Sequence, residues 1–165
     1  MVYICEVRFD DMSKHEITIL YVDDEQNNLV SFKATFRLKY NVLTAISGEE
    51  AIGLLDSNEV HVIITDQRMP GMTGVEFLES ILDRHPDQMR ILLTGYADMN
   101  AVIDAVNKGK IFHYLSKPWN EKELDETILR AYEEYKKKKE EQELNKKLMT
   151  SNGQLEFLLR QKLLS

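Results

Sequence analysis

Short apolar runs alternate with longer segments whose apolar residues recur at helical spacing. Ile17–Val22, Val42–Ile46, Val62–Ile64, Ile91–Leu93 and Ile111–Leu115 are rich in β-branched and aliphatic side chains. Runs of this length without polar alternation read as strands buried on both faces. Between them, Leu29, Phe32 and Phe36 mark a first amphipathic helix, and Ala51, Ile52, Leu54 and Leu55 a second. Val75, Leu78, Ile81 and Leu82 mark a third, ending before His85-Pro86, and Met99, Val102, Ile103 and Val106 a fourth. A fifth helix starts near Asn120. Ser47 is placed to cap the second helix, with Glu49 and Glu50 in its first turn, and Gly109 closes the fourth.

Five strand–helix repeats with short connections imply a parallel sheet covered by helices on both faces. Right-handed crossovers leave two common doubly wound orders, the Rossmann and the flavodoxin-like. No GxGxxG follows the first strand and no GxxxxGK[ST] occurs in the sequence, which disfavours dinucleotide and P-loop nucleotide binding. The expected fold is therefore a flavodoxin-like, doubly wound α/β domain with five parallel strands and an extended C-terminal helix.

With 165 residues, 43% hydrophobic and 30% charged, the chain has the composition of an ordinary globular protein. Its net charge of -7 argues against a general nucleic-acid or anionic-membrane surface. The single cysteine, Cys5, cannot form an internal disulfide, which fits a reducing cytoplasm. No apolar run is long enough to cross a bilayer. Residues 1–15 read as an N-terminal tail, since Met12-Ser13-Lys14 would also serve as a start.

Parallel strands place their C-terminal ends on one edge of the sheet, where ligands gather. On that edge the sequence brings Asp23 and Asp24 from the first strand, Asp66 from the third, Thr94 from the fourth and Lys117 from the fifth. Three carboxylates in one cleft repel one another, and a hard divalent cation, Mg²⁺ or Mn²⁺, relieves that repulsion. Lys117 and Thr94 supply a positive charge and a hydroxyl suited to phosphoryl oxygens. The combination reads as an aspartyl-phosphate site, in which one carboxylate attacks phosphorus while cations neutralise the developing charge.

The motifs VDDE, ITDQRMPGMTG, LLTGYAD and YLSKPW, in this order and each at a strand end, resemble the receiver domain of two-component response regulators. The resemblance runs from Glu16 to about Ala131, and the receiver is expected to occupy residues 16–133. It implies Asp66 as phosphoacceptor, Asp24 as a direct metal ligand and Asp23 as one acting mainly through water. The backbone carbonyl of Arg68 would complete the metal set, and the Lys117-Pro118 bond would be cis. It also implies a switch in which Thr94 moves toward the phosphoryl group and an aromatic side chain on the fifth strand, here Tyr114, turns inward behind it. The surface so remodelled would be the fourth helix, fifth strand and fifth helix. Arg68 and Tyr96, each two residues past a site residue, would flank the path of an attacking water. Neither is a good general base, so slow hydrolysis of the phosphate is expected.

Such a module assists its own phosphorylation and dephosphorylation without turning over as an enzyme. Its expected partner is a histidine kinase or phosphotransfer protein. A phosphatase of the same fold usually carries a second acid–base Asp just after the nucleophile, and Gln67 and Arg68 stand there instead. A phosphorylation-independent interaction module is the third reading, and the intact acidic set counts against it.

Residues 134–165 are expected to form a C-terminal helical extension, a coiled-coil or dimerisation segment. Lys136 to Lys139 precede Glu140 and Glu141, a solvated charged face. Leu144, Leu148, Leu155, Phe157, Leu158, Leu159, Leu163 and Leu164 then restore an apolar stripe, irregular and interrupted by Asn152-Gly153. Such a stripe must be covered, and a twin copy is the favoured cover, giving a helical stalk and a homodimer. The chain is expected to be either a stand-alone receiver with this tail or the front of a longer effector; its YAD and GKIFHYLSKPW stretches resemble those of receivers linked to phosphodiesterase, phosphatase or cyclase outputs.

Overall fold

The strand and helix alternation builds a three-layered α/β unit in a computed structural model that describes residues 16–165, with only the backbone described at Tyr96. The expected tail, residues 1–15, lies outside the described residues. The strands are β1 (Thr18–Val22), β2 (Asn41–Ala45), β3 (Val62–Asp66), β4 (Met89–Thr94) and β5 (His113–Ser116). All pair in parallel in the order β2-β1-β3-β4-β5, the flavodoxin-like order. Every residue of the three inner strands is buried, which is why their sequences read as continuous apolar runs.

Alternate strand residues face opposite layers. On one face, Ile19, Tyr21, Ile64, Ile91 and Leu93 pack against α1 (Gln26–Phe36) and the first third of α5 (Glu121–Leu164). On the other, Leu20, Val22, Ile63 and Leu92 pack against α2 (Gly48–Ser57), α3 (Gly74–Ser80) and α4 (Met99–Asn107). The Ser47 side chain caps α2 by accepting from the Glu50 amide, and Gly109 takes a positive φ of 71° just past α4.

Three helices differ from the sequence reading, and β5 starts at His113 rather than Ile111. First, α3 ends at Ser80, and irregular turns carry the chain from there to His85. Second, α4 presents Val102 and Ala105 to the sheet and leaves Ile103 44% exposed. The apolar periodicity pointed at the bulkiest residues, whereas close approach to the sheet selects the small Ala105. Third, α5 is one unbroken helix of 44 residues, about 66 Å at 1.5 Å per residue. Asn152-Gly153 does not interrupt it. In a solvated helix a glycine costs only about 1 kcal/mol against alanine, too little to stop propagation.

Only the first turns of α5 belong to the core, through Leu124, Ile128, Ala131 and Tyr135. One turn further on, Lys139 and Gln142 both bond the Asp87 carboxylate, at 2.7 and 2.9 Å, and tie the helix to the α3–β4 connection. From residue 143 onward every side chain is exposed, the leucines of the apolar stripe included. No described helix is long and apolar enough to cross a membrane.

Candidate functional site

Because all five strands run the same way, the ends of β1, β3, β4 and β5 meet at one rim. Asp23 follows β1 and is fully buried, with Asp24 beside it and half-buried. Asp66 is the last residue of β3, and Thr94 the last of β4, with 1% of its surface exposed. Lys117 follows β5, and its bond to Pro118 is cis. Backbone bonds extend the pairing past the strands: the Gln67 amide donates to the Leu93 carbonyl at 3.0 Å and the Lys117 amide to the Thr94 carbonyl at 2.9 Å. Asp24, Glu25, Asp66, Gln67, Arg68, Gly95, Ala97 and Lys117 line an open cleft of about 390 Å³.

Carboxylate oxygens of Asp23, Asp24 and Asp66 lie within 4.8 Å of one another. The Lys117 ammonium stands 2.6 Å from Asp66 Oδ1 and 3.8 Å from Asp23 Oδ2. One ammonium against three carboxylates leaves the cleft strongly negative. Such a hard, all-oxygen donor set is fitted to a small divalent cation of the Mg²⁺ type. Burial pushes the Asp66 carboxyl above the usual carboxylate range, and the Lys117 contact opposes that rise.

Asp23 is held by neutral donors. The Glu25 amide donates to Oδ1 at 2.9 Å, and the Tyr21 hydroxyl and Asn28 Nδ2 donate to Oδ2 at 2.8 and 3.0 Å. Burial, followed by the bond to Asp23, raises the Tyr21 phenol far above its ordinary range, so the hydroxyl keeps its proton. The ring of Tyr21 stacks on Phe32 of α1, with centroids 4.1 Å apart.

The β3–α3 connection is fixed by residues whose part was not read from the sequence. Gln67 is buried, and its side-chain oxygen accepts from the Val75 amide at 3.0 Å, satisfying a free donor in the first turn of α3. Gly74 passes so close to Asp66 that a β-carbon there would lie 2.3 Å from the Asp66 carbonyl oxygen. Thr73 and Glu76 form a reciprocal capping box at the start of the same helix.

The residues named for the switch and for hydrolysis sit as follows. Thr94 Oγ1 donates to the Gly95 carbonyl at 3.0 Å. Tyr114 is half-buried on β5, opposite Leu92, and packs on the α2–α3–α4 side. Arg68 reaches along the rim to Asp98, 3.0 Å from its carboxylate, and links the β3–α3 loop to the 3₁₀ turn Tyr96–Asp98. The Tyr96 side chain lies outside the described residues.

Tyr21, Asn28 and Gln67 were missed at the sequence level. Tyr21 left one trace: two residues before Asp23 on a strand, it must share that residue's face. Asn28 and Gln67 left none, since their partners depend on how loops fold.

This geometry has close parallels. The response regulator receiver domain family matches residues 19–129. The hydrogenase transcriptional regulatory protein HoxA of Cupriavidus necator is 39% identical over 154 residues, 93% of this chain and 32% of that protein. The chain thus spans about a third or less of the length of such curated relatives. Among solved structures, an adenylate cyclase from Rhodopirellula baltica superposes with a TM-score of 0.77 at 32% identity, over 79% of this chain and 97% of that one. The response regulator TrrA from Thermotoga maritima, solved with Mg²⁺–BeF, gives a TM-score of 0.62 at 31% identity over 70% of this chain and 98% of that one. Family match, strand order and acidic rim agree: the chain belongs to the receiver domain family of response regulators.

Proposed function

We propose that this receiver accepts a phosphoryl group on Asp66 from a histidine kinase or phosphotransfer protein. The observation that carries the reading is the Lys117 ammonium 2.6 Å from Asp66, inside a cluster of three carboxylates. An Asp66 carboxylate oxygen forms a bond to phosphorus as the bond from phosphorus to the donor's histidine nitrogen breaks. Lys117 neutralises a phosphoryl oxygen, and the Thr94 hydroxyl donates to another. Asp24 and Asp66 would ligate Mg²⁺ directly, with the Arg68 carbonyl, and Asp23 through water. When bound, the ion supplies positive charge to the phosphoryl oxygens.

Movement of Thr94 toward the phosphoryl group opens space for Tyr114 to turn inward and reshapes the α4–β5–α5 surface. Arg68, at the mouth of the cleft, is no general base for an attacking water, so the label persists for minutes or longer. Loss within seconds in the presence of Mg²⁺ and without a phosphatase would contradict this. The exposed leucines of α5 pair with those of a second copy, making a cytoplasmic homodimer whose output is relayed through the stalk. HoxA is by name a transcriptional regulator, which supports a transcriptional output, while the adenylate cyclase neighbour supports the cyclase alternative.

The test is acid-labile labelling by acetyl phosphate with Mg²⁺, together with native mass with and without beryllofluoride. Labelling of the native chain and none of Asp66→Asn supports the reading; full labelling of Asp66→Asn overturns it. A dimer in either state assigns the stalk, and a monomer in both removes it.

A further inference from the structure

The three carboxylates of the rim compete for one lysine, and the competition is settled decisively: 2.6 Å to Asp66, 3.8 Å to Asp23. Depth does not explain the choice, because Asp23 is the more buried of the two and has the greater need of a charge partner. Chain reach does not explain it either, since Lys117 already lies near both.

The explanation lies behind Asp23. A carboxylate oxygen has two lone-pair directions. Both directions on Asp23 Oδ2, the oxygen nearer Lys117, are taken: one by the Tyr21 hydroxyl at 2.8 Å, the other by Asn28 Nδ2 at 3.0 Å. The ammonium therefore finds no free acceptor there and moves on to Asp66 Oδ1. Tyr21, Asn28 and Lys117 line the same groove beside the cleft, so the two donors that fill this oxygen stand next to the ammonium they exclude. Stacking on Phe32 leaves the Tyr21 ring 1% exposed and fixes its direction.

We infer that Tyr21 is a positioning residue: by saturating Asp23 Oδ2 it directs the Lys117 ammonium onto Asp66, where the phosphoryl group is received. This rests on the phosphoacceptor reading above. Tyr21 acts through Asp23, its only hydrogen-bond partner among the described residues, and because Asp23 also serves the metal site the labelling is read at saturating Mg²⁺. Asn28 has a second partner in Glu25, at 3.4 Å, so the phenol is the more dedicated of the two donors.

The test uses the full chain and the substitution Tyr21→Phe, which keeps the ring and its stacking. In the native background the rate constant for labelling by acetyl phosphate at saturating Mg²⁺ falls about tenfold, the scale of a partly lost charge contact in a transition state. In a Lys117→Ala background the same substitution changes nothing further. Equal losses in both backgrounds, or no loss in the native one, overturn the inference. A crystal structure of Tyr21→Phe, needing no phosphodonor, is the second readout. Lys117 Nζ is expected at hydrogen-bond distance from Asp23 Oδ2; an ammonium still seated on Asp66 alone overturns the inference even if labelling slows. If the native chain takes no label on Asp66, the phosphoacceptor reading fails, and the crystal structure still decides how Tyr21 places Lys117.

Discussion

Lys117 Nζ and Asp66 Oδ1 are 2.6 Å apart although 51 residues separate them in the chain, and the contact holds a buried carboxylate at the end of β3. Removing the ammonium leaves three carboxylates with no cation of their own. Lys117→Ala is therefore expected to fold, to label Asp66 at least tenfold more slowly, and to lose the change in native state on beryllofluoride binding. Labelling kinetics and native mass check this together; unchanged rates would remove Lys117 from the chemistry.

Gly74 is the tightest point beneath the site. A β-carbon would meet the Asp66 carbonyl oxygen at 2.3 Å and Leu92 Cδ1 at 2.8 Å, and the backbone partner cannot give way. Gly74→Ala is expected to cost about 1–3 kcal/mol, as overpacking of a close-packed interior does, and to slow labelling by shifting Asp66. Gly53→Ala is the control. Nothing lies within 4 Å of its β-carbon in the middle of α2, and it should stabilise by about 0.5–1 kcal/mol. Denaturant unfolding of both variants separates the two outcomes.

His61 gives the fold a pH dependence. Its Nδ1 accepts from the Thr18 amide at 3.0 Å, and its ring meets Tyr132 and Tyr135 of α5 edge-on. Burial pushes its pKa below 6.5, with Glu59 opposing. A histidine lowered in the folded state binds more protons when unfolded. Its contribution is complete above the unfolded value and is lost as pH falls below 6.5 toward the folded value. His113, also lowered by burial, acts in the same direction. Stability is expected to drop as pH falls below 6.5, and His61→Gln should make the drop shallower. An equal slope in the variant would assign the effect elsewhere.

Asp87 is the last tether of α5 to the receiver. Lys139 and Gln142 hold it at 2.7 and 2.9 Å, and Lys139 lies over the Tyr135 ring at 5.7 Å. These groups are partly exposed, so Asp87→Ala should cost less than about 1 kcal/mol globally. Its effect should be local: faster amide exchange around residues 136–143, with residues 124–131 still protected by the core. Uniform exchange across the helix would show that the tether does not mark where α5 leaves the receiver core.

Much of this protein follows from short-range pattern. The apolar runs Ile17–Val22 and Val62–Ile64 had to be inner strands, and five of them joined by short helical segments had to run parallel. Parallel strands share an edge. Asp23, Asp24, Asp66 and Lys117, each at or just past a strand end, therefore share one cleft, and Thr94 closes the strand beside them. Ser47 as a cap and Gly109 as a stop were equally local. What the pattern could not carry was anything set by partners distant in sequence. Which face of α4 approaches the sheet depended on the fit of Ala105 rather than on the bulk of Ile103. The path of α5 through Asn152-Gly153 depended on a helix already nucleated on the core. The choice of Lys117 between two carboxylates depended on Tyr21 and Asn28 filling one oxygen of Asp23. Periodicity fixes which way a side chain faces from its own strand or helix. Only packing fixes which lone pair, ring or cavity it finds there, because those belong to other parts of the chain.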